Sequence, residues 1–183
     1  MSTASTEHSV TLGRGVEPDP STRRFRRIVT GVNEAGKSVI VSDGETSSIQ
    51  TVANTPTFVV TNLWQHTEVP VNNDGPVDDG VGGAVSLDPP PGGSVFRMVE
   101  FPPDSHWRDR EDGPADQVHA TPSLDYAIVM EGEIWAVLDG EETLMRPGEV
   151  LIQRGTRHAW SNRSDQQAVV AFVLIGGTVP AGH

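Results

Sequence analysis

The sequence predicts an all-β protein: a barrel over about Ser94 to Ile175, a β extension before it, and long loops. Two observations carry this prediction. Short runs rich in β-branched and aromatic residues recur along the chain, each bounded by Gly, Pro, Asp or Asn at turn positions. No segment has the apolar spacing of an amphipathic helix, and no fixed-period repeat is present. Many short strands with evenly spaced turns bury their apolar faces as a sandwich or a barrel.

Taken in order, residues 1–24 are polar and rich in Ser, Thr and Pro, so a flexible arm is expected there. Residues 25–93 read as strands and loop that pack on the barrel or extend it. Within them Arg27 to Thr30 and Ser38 to Ser42 are short edge strands, with turns at Gly36-Lys37 and Asp43-Gly44. Thr57 to His66 is a longer strand, and Pro70 to Gly93 is a loop whose Pro, Gly and Asp content sustains neither helix nor ladder. The barrel occupies residues 94–176, with strands predicted at Ser94–Phe101, Leu124–Glu131, Glu133–Gly140, Glu141–Met145, Glu149–Arg154 and Ala168–Ile175. A charged loop, Pro102 to Gln117, joins the first two of these strands. Residues 177–183 are a tail.

Composition narrows the function. With 183 residues the chain holds one well-buried core. A net charge of -12 repels phosphate backbones, and the one basic cluster, Arg23, Arg24, Arg26 and Arg27, reads as a solvated run; nucleic acid is not an expected partner. Cysteine is absent, which excludes disulfides, thiolate nucleophiles and thiolate metal sites. The start lacks the apolar stretch of a signal peptide, and no run is long enough to cross a bilayer, so the expectation is a soluble cytoplasmic protein without a membrane partner.

Strand parity then gathers the candidate chemistry. Alternate residues of a strand share a face, so an extended chain through His119, Thr121, Ser123 and Asp125 points four polar groups one way. Farther on, His158, Trp160 and Asn162 share a parity. Two imidazoles and a carboxylate are thereby expected in the barrel mouth.

These residues resemble a known family. HATPSLDYAIVMEG, His119 to Gly132, is similar to the first motif of the cupin superfamily, in which two His one residue apart precede a Glu and a turn Gly. GEVLIQRGTRHAWSN, Gly148 to Asn162, is similar to the second, whose Gly, His and Asn correspond to Gly155, His158 and Asn162. The resemblance implies a small cupin-type jelly-roll barrel, commonly a homodimer, with a metal in the mouth of many members. It assigns His119, Asp125 and His158 to metal-ligand positions, while Thr121 stands where the second His is usual and no proline precedes Gly155. Two His and one carboxylate are the ligand set of a facial triad. Two alternatives stay open: one divalent ion such as Fe, Mn, Zn or Ni, or a metal-free pocket in which His119 and His158 move protons and Asp125 orients them.

The expected function is therefore a small-molecule enzyme acting on an oxygenated, aromatic or polyketide-like metabolite. Lyase, isomerase or decarboxylase chemistry by proton transfer is one form, metal-dependent dioxygenation another, and a non-catalytic metabolite- or sugar-binding module the alternative to both. Substrate contacts are expected from Thr121, Arg97, Gln153 and Trp160, with Arg97 suited to a carboxylate or carbonyl. Tyr126 has the opposite parity to Asp125 and is expected outside the barrel. His106 and Trp107 are expected in a solvent-exposed loop, Trp135 and Trp160 as core or rim aromatics, and His66 with Trp64 as lesser candidates for the mouth.

Overall fold

Twelve strands, joined by antiparallel pairing throughout, build the protein in a computed structural model that describes residues 12–13, 16–82, 85–108 and 117–181. They are β1 (Leu12–Gly13), β2 (Arg26–Val32), β3 (Ser38–Glu45), β4 (Ile49–Val52), β5 (Thr55–His66), β6 (Ser94–Phe101), β7 (Ser123–Glu131), β8 (Ile134–Leu138), β9 (Glu142–Met145), β10 (Val150–Gln153), β11 (His158–Ser161) and β12 (Ala168–Gly176). A single 3-10 turn, Asp104–His106, is the one helical element among the described residues.

Seven strands form one sheet in the order β1-β4-β5-β6-β12-β7-β10; three more form a second, β11-β8-β9. The order is non-sequential because β12, the last strand, is inserted between β6 and β7. Its sequence, AVVAFVLIG, suits that place: a strand paired on both sides and covered on both faces reads as a continuous apolar run. Alternate side chains of the large sheet, including Val99, Phe101, Ala127, Val129, Val170 and Phe172, meet Ile134, Ala136, Met145 and Trp160 from the small sheet in one buried core. Full burial of a Val, Ile or Phe of this kind contributes about 1.5–3 kcal/mol.

The tight turn after β7 depends on Gly132. Its φ of +70° lies in the left-handed region, and a Cβ there would stand 2.6 Å from the Gln167 carbonyl oxygen, so any side chain would push β12 away.

The extension differs in two respects from the sequence-based expectation. Asp43-Gly44 is not a turn but lies inside β3, where Gly44 pairs with Arg27 and the Asp43 carboxylate receives the Arg26 guanidinium through two hydrogen bonds of 2.7 Å. The β2–β3 hairpin turns at Asn33 to Gly36, overlapping the expected Gly36-Lys37 turn, and the Asn33 side-chain oxygen accepts from the Ala35 and Lys37 amides. Secondly, β2 and β3 pair only with each other rather than forming the edge of a larger sheet. β4 and β5, by contrast, extend the large sheet, β5 being bonded along β6. Of the expected arm, residues 1–11 and 14–15 lie outside the described residues. Its other parts are tied down: Leu12–Gly13 pairs with β4, Asp19 donates its amide to the Pro56 carbonyl, and Arg23 donates its amide to the buried Glu100 carboxylate.

Candidate functional site

The site begins with a bridge between two chain segments. His119 and His158 face each other as an isolated antiparallel pair, each donating its amide to the other's carbonyl at 2.9 and 2.8 Å. Directly opposed residues send their side chains to the same face. The two imidazoles therefore stand side by side, with ring centroids 4.4 Å apart and planes tilted by 52°. Gly155, at φ +65°, makes the turn that delivers His158 to this position.

Each ring is held by the backbone. Nδ1 of His119 lies 2.8 Å from the Gln117 carbonyl oxygen, and Nδ1 of His158 lies 3.0 Å from that of Thr156. A carbonyl only accepts, so each Nδ1 carries the proton and each Nε2 keeps its lone pair. Burial disfavours the imidazolium and lowers both pKa values. His158 falls to about 4, with the neighbouring His119 adding to the effect and the Thr156 bond opposing it. His119 is lowered mainly by burial, against its Gln117 bond and the charge of Asp88. At neutral pH the pair is two neutral bases.

The register of the large sheet places the other polar groups. On its inward face Gln153, Asp125, Leu174 and Val95 form one cross-strand row, and Ala127, Phe172, Arg97 and Asn62 form the next. The Ser123 hydroxyl donates to Thr121 at 2.7 Å, and Thr121 donates to Asp125 Oδ2 at 3.3 Å. Burial raises the Asp125 pKa, opposed by these neighbouring hydroxyls and by the charge of Arg97. Arg97 is 5% exposed and burial lowers its pKa to about 10, which leaves it protonated at neutral pH.

Beyond these rows the surroundings become apolar. His119, Thr121, Asp125, His158 and Arg97 line one pocket, with Phe58, Val99, Phe101, Trp107, Trp160 and Phe172 among its walls. The aromatic rings contact one another in series: Trp107 on Phe58 at 4.8 Å, Phe58 on Phe101 at 5.2 Å, and Trp160 on Phe172 at 5.3 Å. Trp160 also meets His158 edge to face, 6.0 Å between centroids. A cavity with an apolar body and a few convergent polar groups is the usual form of a small-molecule site.

Of the sequence-derived candidates, His119, Thr121, Asp125, His158, Arg97 and Trp160 thus come together. Gln153 does not line the pocket. It is buried opposite Asp125, but its amide nitrogen donates to the Thr156 carbonyl at 2.8 Å and also to the Thr156 hydroxyl. The same carbonyl accepts from His158, so Gln153 steadies the turn that holds that imidazole. Trp107 is a second correction: it is 2% exposed and part of the aromatic wall, whereas His106 beside it is exposed. Asp104 causes the difference by anchoring the 3-10 turn to Ser161 Oγ at 2.6 Å and to the Asn162 amide, which turns Trp107 inward. His66 bonds to Ser94 away from the pocket, Trp135 lies under Arg163, and Tyr126 is on the outer face, 37% exposed.

The metal set expected from the motif resemblance is not assembled. Among the described residues no three His, Asp or Glu side chains stand close enough to share an ion. His119 and His158 are brought together by their bridge, but the Asp125 carboxylate is tethered to Thr121 instead of joining them. These residues do not fit a three-donor centre.

Fold and site together define a jelly-roll barrel with an apolar-walled pocket and a neutral imidazole pair at its polar end. A family model described as a cupin domain matches residues 106–175. The chain is 34% identical over 149 residues to the cupin-domain-containing oxidoreductase virC of Hypocrea virens, covering 79% of this chain and 71% of that protein. It is 32% identical over 160 residues to the cupin-domain-containing oxidoreductase fogC of Aspergillus ruber, covering 84% and 71%. A shorter stretch of 75 residues is 45% identical to the phomopsin biosynthesis cluster protein C' of Diaporthe leptostromiformis, covering 40% and 35%. The chain belongs to the cupin superfamily, and its β-barrel is the cupin jelly roll. No helix among the described residues is long and apolar enough to cross a membrane.

Proposed function

We propose that this protein is a cupin-type enzyme that moves a proton on an oxygenated metabolite with an aromatic or otherwise apolar body. The observation that carries this reading is the pair of neutral, backbone-tethered imidazoles at the polar end of a largely aromatic cavity. Nε2 of His158 or His119 takes a proton from carbon next to a carbonyl, and the C–H electron pair becomes the enolate. In a β,γ-unsaturated carbonyl, return of the proton at the γ carbon completes an isomerisation; in a β-hydroxy carbonyl, expulsion of the hydroxyl, protonated as it leaves, completes a dehydration. A base whose pKa lies near 4 is weak in isolation, but in a dry pocket the forming enolate stabilises the forming imidazolium.

Proton exchange in D2O tests the proposal. With a panel of bicyclic ketones fused to an aromatic ring, 2-tetralone among them, the protein is expected to accelerate α-proton exchange above the buffer rate, and His158→Gln to abolish the acceleration. Exchange at the buffer rate for every member contradicts the proposal.

The names of the relatives favour a second reading, in which the same cavity hosts an oxidation. Oxygen uptake coupled to substrate loss, absent under anaerobic conditions, is its signature. The expected homodimer also stands as a proposal. Phe96, Val173, Tyr126 and Ile152 form a cross-strand row on the outer face of the large sheet, and Phe96, Tyr126 and Ile152 are each more than a third exposed. Sedimentation of Tyr126→Lys as a monomer, with wild type as a dimer, is the result expected.

A further inference from the structure

The guanidinium of Arg97 is the buried cation of the cavity. It projects from β6 into the cavity and is 5% exposed, yet no carboxylate among the described residues stands within ion-pairing distance of it. Its protein partners are two backbone carbonyls of the long loop, Ser86 at 2.9 Å and Leu87 at 3.5 Å, and its Nε–H is buried without an acceptor. The residue across on β5 is the neutral Asn62. Asp125 lies one cross-strand row away and acts on Arg97 only through its field, as Asp88 does. Asp125 Oδ1 is itself buried and unpartnered.

A cation removed from water without a contacting anion is costly, and the usual remedy is an anionic oxygen within hydrogen-bond reach. Arg97 nonetheless lines the cavity, where no carboxylate among the described residues pairs with it. We infer that Arg97 anchors a carboxylate on the ligand, so that the substrate class is an aryl or polycyclic carboxylic acid whose apolar body lies against Phe101, Trp160 and Phe172. The planar guanidinium fork matches a carboxylate, and its Nη groups stay aligned by the loop carbonyls. Burial brings the Arg97 pKa only to about 10, so the charge persists at neutral pH. This deepens the proposed function by naming the substrate class, and rests on the same cavity being the substrate site.

Calorimetric titration with 2-naphthoate and its uncharged analogue 2-naphthamide separates the charge from the shape. Wild type is expected to bind naphthoate saturably and about tenfold or more tighter than naphthamide, a factor set by one charge-assisted contact. Arg97→Leu should remove that preference while keeping naphthamide binding, and Arg97→Lys should restore part of it. If Arg97→Leu does not fold, the wild-type ratio still decides. Naphthamide binding wild type as tightly as naphthoate, or naphthoate not binding at all, would overturn the anchor. Because the titration involves no turnover, the exchange experiment can fail while the anchor stands, and the reverse.

Discussion

The two ends of the cavity are built on opposite principles. At one end His158, Thr121, Asp125 and Arg97 are buried and His119 half-buried, with atoms to spare: a lone pair on each Nε2, an unpartnered Asp125 Oδ1 and an unpartnered Arg97 Nε–H. At the other end Phe58, Phe101, Trp107, Trp160 and Phe172 satisfy one another through ring contacts. The polar end leaves buried atoms unpaired at a cost in stability, and the aromatic end supplies stability. The two should therefore respond oppositely to substitution, one in activity and the other in folding.

His158→Gln provides the largest contrast. In the proposed reaction it lowers turnover about 10²- to 10⁴-fold, while urea unfolding moves little because glutamine keeps a polar group at the Thr156 carbonyl. A variant that retained turnover would remove His158 from the chemistry. At the aromatic end, Phe101→Ala strips a ring in contact with Phe58, Trp160 and Phe172. It should cost about 3–5 kcal/mol of unfolding free energy. A loss below ~1 kcal/mol would mean that this wall is loosely packed.

Acid separates the ends further. His158 has a folded pKa near 4 against an ordinary 6.5, so between these values the unfolded chain binds the additional proton. Its contribution to stability is complete above about pH 6.5, falls as pH drops toward 4 and is gone below that. At ~1.4 kcal/mol per pKa unit the loss is on the order of 3 kcal/mol. His158→Gln should flatten this slope, measured as unfolding free energy against pH, and an unchanged slope would contradict the assigned burial effect. The smallest effect expected is at Thr121→Val, which removes the acceptor of the Ser123 hydroxyl and a donor to Asp125. A cost of about 1 kcal/mol in urea unfolding is predicted; no change at all would mean that the hydroxyl chain contributes nothing.

The polar end was the more legible in the sequence, for a physical reason. Alternation along a strand is local, so His119, Thr121 and Asp125 could be assigned one face from spacing alone, and the motif resemblance supplied His158. The aromatic end depends on contacts across the fold. Phe58 meets Trp107 only because β5 joins the large sheet and Asp104 pins the 3-10 turn to β11, and neither follows from local pattern. Gln153 misled for a related reason: its face is the inward one, but Thr156 captures its amide through a turn contact that parity does not register. Asp43-Gly44 has turn chemistry, yet pairing with Arg26 and Arg27 drew it into a strand. Asp125 illustrates the limit of motif transfer: its row position matches, while its hydrogen bond to Thr121 separates it from the two imidazoles.

The central claim is that His119 and His158 are neutral bases with the proton fixed on Nδ1. Nitrogen-15 NMR of the imidazoles across a pH titration tests this most directly. At pH 7 both rings are expected to show protonated Nδ1 and bare Nε2, and His158 to take up its second proton only near pH 4. Either ring titrating at about 6.5, or carrying its proton on Nε2, would contradict it.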